Sequence, residues 1–157
     1  MTKFNQGMKS SNRTDCGTPP DFYEFLDKHF HFTFDPCPLN PDFDGLAIEW
    51  GHCNFVNPPY GREIVKWCQK AYEECKQGKI VIMLVAARTD TKWWHEYAMK
   101  ANFICFLKGR LRFSDYKDGA PYPSAVLIFF PQKRPYSFPE IRTISKTKDG
   151  YKFDERS

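Results

Sequence analysis

A tetrapeptide near the middle of the chain, Asn57-Pro58-Pro59-Tyr60, combines groups that suit methylation of a planar amine. Such a nitrogen is a poor nucleophile because its lone pair is delocalised into a ring or carbonyl. The side-chain carbonyl of Asn57 and the backbone carbonyl of Pro58 could each accept one of its two N–H bonds and expose the lone pair. Consecutive prolines remove two backbone donors and fix φ, so both acceptors are in place before the substrate arrives. Tyr60 offers a flat face for stacking.

The position of the tetrapeptide supports a functional interpretation over a merely rigid turn. The preceding run, Cys53 to Val56, is typical of a short strand, and the helical spacing of apolar residues predicts a helix from Glu63 to Lys76. Open α/β sheets bind ligands at the carboxyl ends of their strands. The motif therefore lies where a site is expected.

The rest of the chain predicts an α/β sheet whose last strands are an antiparallel addition. An amphipathic helix is expected over Asp21 to Phe30, with Thr18 as its N-cap. Cys37 to Gly51 has loop composition, and a second helix is expected over Thr91 to Ala101. The expected further strands are Phe32 to Phe34, Ile80 to Val85, Phe103 to Leu107, Arg110 to Phe113 and Ala125 to Phe130.

Length and charge favour one domain with basic ends. The chain has 157 residues, and its net charge of +4 is concentrated at the termini. Residues 1–17 are expected to be a flexible arm, 18–132 the domain, and 133–157 a basic tail outside the core, with seven basic and four acidic residues. A solvated tail and a tail that contacts phosphate both remain open.

The sequence excludes several classes of protein. Its longest apolar run, Ile80 to Ala87, is much shorter than the about 20 residues of a membrane span. No short-spaced Cys/His quartet is present, so no metal site is predicted, and a cytoplasmic protein with reduced thiols is expected.

Several separated motifs, in the same order, make the chain resemble the phage-type DNA N6-adenine methyltransferases, a compact Dam-like group. Besides the tetrapeptide and Gly61, the resemblance rests on the following segments: Thr18-Pro19, Asp35-Pro36, Asp44-Gly45-Leu46 with Trp50, Ala87-Arg88-Thr89-Asp90-Thr91 with Trp94 and His95, Gly109-Arg110-Leu111-Arg112-Phe113, and Ala120-Pro121-Tyr122-Pro123-Ser124-Ala125. The resemblance implies a compact Rossmann-like, mostly parallel sheet, S-adenosylmethionine as methyl donor, DNA as substrate and a phage or prophage origin.

The resemblance also implies roles for individual residues. Asn57, Pro58, Pro59 and Tyr60 would be catalytic and would hold an extruded adenine, with Tyr60 stacking on it. The residues implied at the cofactor are Thr18, Pro19, Asp35, Pro36, Cys37, Asp44 and Asn57. Tyr60 is also implied at nucleic acid. Independently of the resemblance, Arg88, Arg110 and Arg112 stand at or near predicted strand ends, so they could contact phosphate or a base edge, or lie on a solvated strand edge. The turn after Asp35 is Cys37-Pro38-Leu39-Asn40, without the glycines usual in the larger class.

Two other functions fit the same residues. An amino methyltransferase could act on RNA, free nucleotides or a protein glutamine, since each presents a planar amide-like nitrogen. A protein that binds nucleic acid without catalysis could retain a methyltransferase scaffold and basic ends. An intact Asn57 with both prolines favours an enzyme.

Overall fold

The computed structural model describes residues 17–113 and 119–155, and a six-stranded mixed sheet lies at its centre. The strands are β1 (Cys53–Val56), β2 (Ile80–Ala86), β3 (Phe103–Leu107), β4 (Ser124–Phe129), β5 (Glu140–Thr147) and β6 (Gly150–Phe153), in the spatial order β1-β2-β4-β3-β5-β6. The pairs β1–β2 and β3–β5 are parallel, and the other three pairs are antiparallel.

Helices cover both faces of the sheet because side chains alternate along its central strands. The helices are α1 (Pro20–Phe30), α2 (Ile64–Lys76) and α3 (Lys92–Glu96), followed by a 3₁₀ turn (Ala98–Lys100). In β2, Val81, Met83 and Val85 pack in the cluster that contains α2 and α3. Ile82 and Leu84 point the other way and pack in the cluster that contains α1.

The α/β class predicted from the sequence is confirmed, and the sheet is mixed, so a mostly parallel arrangement is not confirmed. β1 and β3 have the predicted bounds, and α2, β2 and β4 differ from theirs by one residue at one end or both. Thr18 is not the N-cap of α1. Pro19 occupies that position and has no side-chain group that could cap the helix, while the Thr18 hydroxyl accepts a hydrogen bond from Asn57.

Three further elements differ from their prediction. The segment expected to be a strand at Phe32 to Phe34 forms only a parallel bridge, between Phe34 and Asn54. Arg110 to Phe113 is extended but belongs to no strand, because the chain turns away at Gly109, where φ is +83°. The helix expected over Thr91 to Ala101 is broken at Tyr97, where φ is −123°.

The segment expected to be a tail supplies β5 and β6, so the prediction that it lies outside the core is wrong for these strands. β5 pairs with β3, and its Ile144 is 1% exposed. The rings of Tyr151 and Phe153 in β6 contact Phe22 and Phe25 of α1 at 5.0 and 4.9 Å between centroids. These contacts extend the core on the apolar face of α1. The expected arm, apart from Gly17, lies outside the described residues.

Candidate active site

The predicted site residues from the first half of the chain meet at the carboxyl edge of the sheet. The chain at Phe34 runs parallel to β1, since Phe55 donates its N–H to the carbonyl of Phe34 at 3.1 Å. Asp35 therefore follows one extended segment, and Asn57 follows the adjacent strand. A cavity of about 220 Å³ opens at this edge, and its lining residues are Gly17, Thr18, Pro20, Tyr23, Asp35, Cys37, Pro38, Leu39, Phe55 and Asn57.

The Asn57 amide is held at both ends. Its side chain is 6% exposed. The Nδ2 group donates to Thr18 Oγ1 at 3.0 Å, and Oδ1 accepts from the Tyr60 hydroxyl at 3.2 Å. The same hydroxyl lies 3.3 Å from the carbonyl of Leu84 at the end of β2. The acceptor atom of Asn57 therefore faces Tyr60, and its donor faces the cavity wall.

Tyr60 belongs to an aromatic group whose members do not line the cavity. Its ring lies edge-on to Tyr122, 5.3 Å between centroids, and to Phe113, at 6.5 Å. The guanidinium of Arg88 sits over the Tyr122 ring at 5.5 Å. Asn57 is therefore the point where the cavity and the aromatic group meet.

Two titratable side chains in the cavity wall have raised pKa values. Burial raises the pKa of Asp35 from its ordinary 3.8 to about 7, although the N–H of Cys37 donates to its Oδ1 at 2.8 Å and opposes the shift. Burial also raises the pKa of Tyr23 to about 12, helped by the charges of Asp27 and Asp35. The cavity thus disfavours an uncompensated negative charge at Asp35.

The loop from Pro36 to Leu39, which lines the cavity, packs against the Asp44-Gly45-Leu46 segment. A side chain at Gly45 would overlap the carbonyl of Pro36, with a Cβ only 1.9 Å from its oxygen, so this position requires glycine. The indole Nε1 of Trp50 donates to the carbonyl of Gly45 at 2.7 Å. Asp44 does not line the cavity. Its Oδ1 accepts from the N–H of Leu46 at 3.0 Å and stabilises the turn.

Of the other residues predicted at the cofactor, Thr18, Asp35, Cys37 and Asn57 line the cavity, whereas the buried Pro19 and Pro36 are their chain neighbours. The sequence did not single out Tyr23, Phe55 or Leu39, which also line it. Tyr23 lies on α1 and packs against the same core cluster as Phe22, so its sequence position did not distinguish it from a core residue.

The arginines predicted at nucleic acid all lie near this edge. Arg88 follows the end of β2 and Arg110 follows the end of β3, where its guanidinium donates to the carbonyl of Ala120 at 3.1 Å. Arg112 is exposed between the buried Leu111 and Phe113. Trp93 and Trp94 are buried in the core, and His95 contacts the carbonyl of Thr89 at 2.8 Å.

Residues 17–113 and 119–155 contain no cluster of three His, Cys, Asp or Glu side chains that would hold a metal ion. None of the helices in these ranges has the length and apolar character needed to cross a membrane.

Comparisons with known proteins identify the family of this chain. The family described as "DNA N-6-adenine-methyltransferase (Dam)" matches residues 7–152. A protein of Haemophilus phage HP1 (strain HP1c1), named DNA N-6-adenine-methyltransferase, is 24% identical over 154 residues, which cover 87% of this chain and 88% of the phage protein. Because the family match spans nearly the whole chain, including β5 and all but the last residue of β6, this chain belongs to the Dam family of DNA N6-adenine methyltransferases.

Proposed function

We propose that this methyltransferase uses S-adenosylmethionine and acts on an adenine that has been extruded from duplex DNA. The observation that carries the proposal is the position of Asn57. It lies between a cavity that suits the methyl donor and an aromatic group that suits a base. Extrusion is required because the N6 atom is hydrogen-bonded inside the duplex.

The residues of the cavity fit S-adenosylmethionine. Phe55, Leu39 and the ring of Tyr23 give apolar walls for a purine, and Asp35 gives a carboxyl group for a hydroxyl, an amine or a positive charge. A cation or donor beside Asp35 would also relieve the cost that raises its pKa to about 7. When bound, S-adenosylmethionine supplies an electrophilic methyl group.

Asn57 prepares the amine for transfer. In the described structure its Oδ1 accepts from the Tyr60 hydroxyl. An adenine N6–H would take the place of that hydroxyl, while the bond from Nδ2 to Thr18 lies on the other end of the amide and is compatible with substrate. The Pro58 carbonyl is proposed to accept the second N–H, which exposes the lone pair to the methyl group. Pro59 keeps this turn rigid.

Tyr60 supplies the stacking surface. Its ring is braced edge-on by Tyr122 and Phe113, so it keeps its orientation when the hydroxyl releases Asn57. Stacking of a base on an aromatic ring contributes about 1–3 kcal/mol. The exposed Arg88 lies over Tyr122 and is proposed to contact DNA beside the extruded base.

The decisive experiment measures radiolabelled methyl transfer to unmethylated duplex DNA, with nucleoside analysis of the product. We expect N6-methyl-2′-deoxyadenosine from DNA and little methylated product from RNA. Asn57→Ala should lower the transfer rate by about 10²-fold or more, as for loss of one preorganised polar group. Calorimetry with S-adenosylhomocysteine should still show binding.

Asn102→Ala is the matched control. Asn102 lies at the opposite edge of the sheet, where its amide bridges Phe130 and Gln132. This variant also loses an amide that makes two hydrogen bonds, but it should transfer methyl groups at the wild-type rate. Near-normal turnover in Asn57→Ala would contradict the proposed mechanism.

A further inference from the structure

The turn between β5 and β6 extends from the same edge of the sheet as Asn57. β3 and β5 are parallel with Leu107 opposite Ile144, and both strands end at the edge where β1 and β2 end. The hairpin tip, residues 146–152, contains Lys146, Lys148 and Lys152 and one acidic residue, Asp149, so its net charge is 3 − 1 = +2. All four of these side chains are exposed.

A basic segment joins this tip to the aromatic group around Tyr60. Lys108 donates its backbone N–H to the carbonyl of Ile144 at 2.9 Å, which places it beside β5. The chain then turns at Gly109 and continues through the exposed Arg110 and Arg112. It reaches Phe113, whose ring contacts Tyr60. Cationic side chains therefore follow the edge from the hairpin to the proposed base pocket.

Three cations at the opposite edge are engaged with protein groups. Lys79 lies 2.7 Å from Glu74 and 3.0 Å from Glu49. Arg142 pairs with Glu140 at 2.6 Å. Arg134 donates to the carbonyl of Met99 at 2.7 Å. Lys76 and Lys133 are exposed there, but they lie on separate elements, at the end of α2 and after β4. At the edge that holds the proposed site, the exposed cations instead form a series from the hairpin tip to Arg112.

The width of the sheet sets the distance between the hairpin and the target base. β5 lies four strand spacings from β1, and at about 4.8 Å per spacing this is about 19 Å along the sheet. Duplex DNA rises about 3.4 Å per base pair along each strand, so this span corresponds to about five or six base pairs.

We propose that the hairpin tip binds the DNA backbone about five or six base pairs to one side of the target adenine, through Lys146 and Lys148. This inference rests on the proposed function and adds a second contact region, remote from the extruded base. Phosphate is the partner because lysines neutralise it without reading sequence. Lys108, Arg110 and Arg112 lie along the DNA backbone between the hairpin tip and the extruded base.

The first test compares the salt dependence of DNA binding for Lys146→Gln/Lys148→Gln and the wild type, both with S-adenosylhomocysteine. If each lysine neutralises one phosphate, the slope of log affinity against log salt should flatten by about 1.8, at about 0.9 per phosphate. Lys76→Gln/Lys133→Gln is the matched control. It removes the same charge at the end of α2 and after β4, away from this edge, and should keep the wild-type slope.

The second test shortens the duplex on one side of the adenine identified in the methyl-transfer product. With an arm of about three base pairs on the hairpin side, the wild type and Lys146→Gln/Lys148→Gln should bind equally. With the same truncation on the other side, the difference between them should persist. Equal slopes on long duplexes, or a difference that survives both truncations, would overturn the proposal. The slope comparison needs no methyl transfer, so it is decided even if the proposed function fails.

Discussion

Two carboxylates lie at opposite edges of the sheet, the partly buried Asp35 and the buried Glu74, and their surroundings shift their pKa values in opposite directions. Glu74 is 4% exposed, and burial alone would raise its pKa. Hydrogen bonds from Lys79, the backbone N–H of Trp50 and Lys70 instead lower the pKa below its ordinary value. Asp35 accepts one backbone hydrogen bond, from Cys37, and burial raises its pKa to about 7.

The difference separates a structural carboxylate from a binding carboxylate. Glu74 joins the loop at Trp50 to α2 and to the start of β2, and all of its partners belong to the protein. Asp35 faces a cavity with little compensation from protein groups. Strongly perturbed pKa values in clefts are typical of functional groups. Burial of the charged carboxylate is therefore unfavourable at Asp35, whereas hydrogen bonds offset it at Glu74.

Replacing Glu74 should have the largest effect on stability. Glu74→Ala leaves Lys79, whose side chain is 12% exposed, without its closest carboxylate. Loss of one partner of a buried pair costs about 3 kcal/mol, so urea unfolding at pH 7 should show a free energy of unfolding lower by about this amount. Because the pKa of Glu74 is lowered in the fold, its contribution is present above the unfolded pKa and is lost as the pH falls through the folded value.

The surface pair of Glu96 and Lys92 is the control for this experiment. It lies at 3.8 Å with both side chains largely exposed. Exposed pairs contribute about 0–1 kcal/mol, so Glu96→Ala should unfold at nearly the wild-type urea concentration. If Glu74→Ala lowers the free energy of unfolding no more than Glu96→Ala does, the hydrogen bonds of Glu74 do not stabilise the edge of the sheet that holds it.

Asp35→Asn should have a smaller effect and the opposite sign. Between pH 4 and about 7 the unfolded chain has lost the Asp35 proton while the folded chain keeps it, so this group lowers stability as the pH rises through that window. The variant lacks this decline, and its amide oxygen still accepts from Cys37. Because Asp35 is only partly buried in accessible surface, we expect a gain of about 1–2 kcal/mol at pH 8.

The same variant should bind S-adenosylhomocysteine more weakly while its affinity for DNA changes less. Thermal melts from pH 4 to 8 and calorimetry at pH 8 give both measurements. The contrast between the two carboxylates would be wrong if Asp35→Asn were less stable than the wild type at pH 8. It would also be wrong if the variant bound S-adenosylhomocysteine with the wild-type affinity.

The sequence predicted those elements whose pattern is set by local spacing. β2 is a continuous apolar run, and the apolar positions of α2 repeat at helical spacing, so both were found within a residue. β5 was missed because Ile141 and Ile144 are three residues apart and point to opposite faces, the first exposed and the second buried. No alternation of apolar and polar residues marks this strand. Its place is fixed by pairing with β3, which only the folded chain shows.

The candidate site divides in the same way. Asn57 and Tyr60 were found because their residue types and their position after a strand both indicate chemistry. Leu39 and Phe55 carry no such signal, since apolar side chains in a cavity wall cannot be told from core side chains by sequence. Thr18 was assigned to the cofactor and to a helix cap, yet its hydroxyl contacts Asn57 across 39 positions of sequence.

Thr18→Val should have the smallest effect, and it tests whether Thr18 positions the Asn57 amide. Valine has nearly the shape of threonine but cannot accept from Asn57 Nδ2, which now bonds to Thr18 Oγ1 at 3.0 Å. A hydrogen bond of this kind contributes about 1 kcal/mol, so methyl transfer at saturating cofactor should fall about five- to tenfold. Thr18→Ser keeps the hydroxyl and should recover most of that rate. The effect should also vanish in an Asn57→Ala background, because Thr18 acts through Asn57. If Thr18→Val instead weakens only the binding of S-adenosylmethionine and leaves kcat unchanged, Thr18 belongs to the cofactor cavity alone, and Asn57 is held without it.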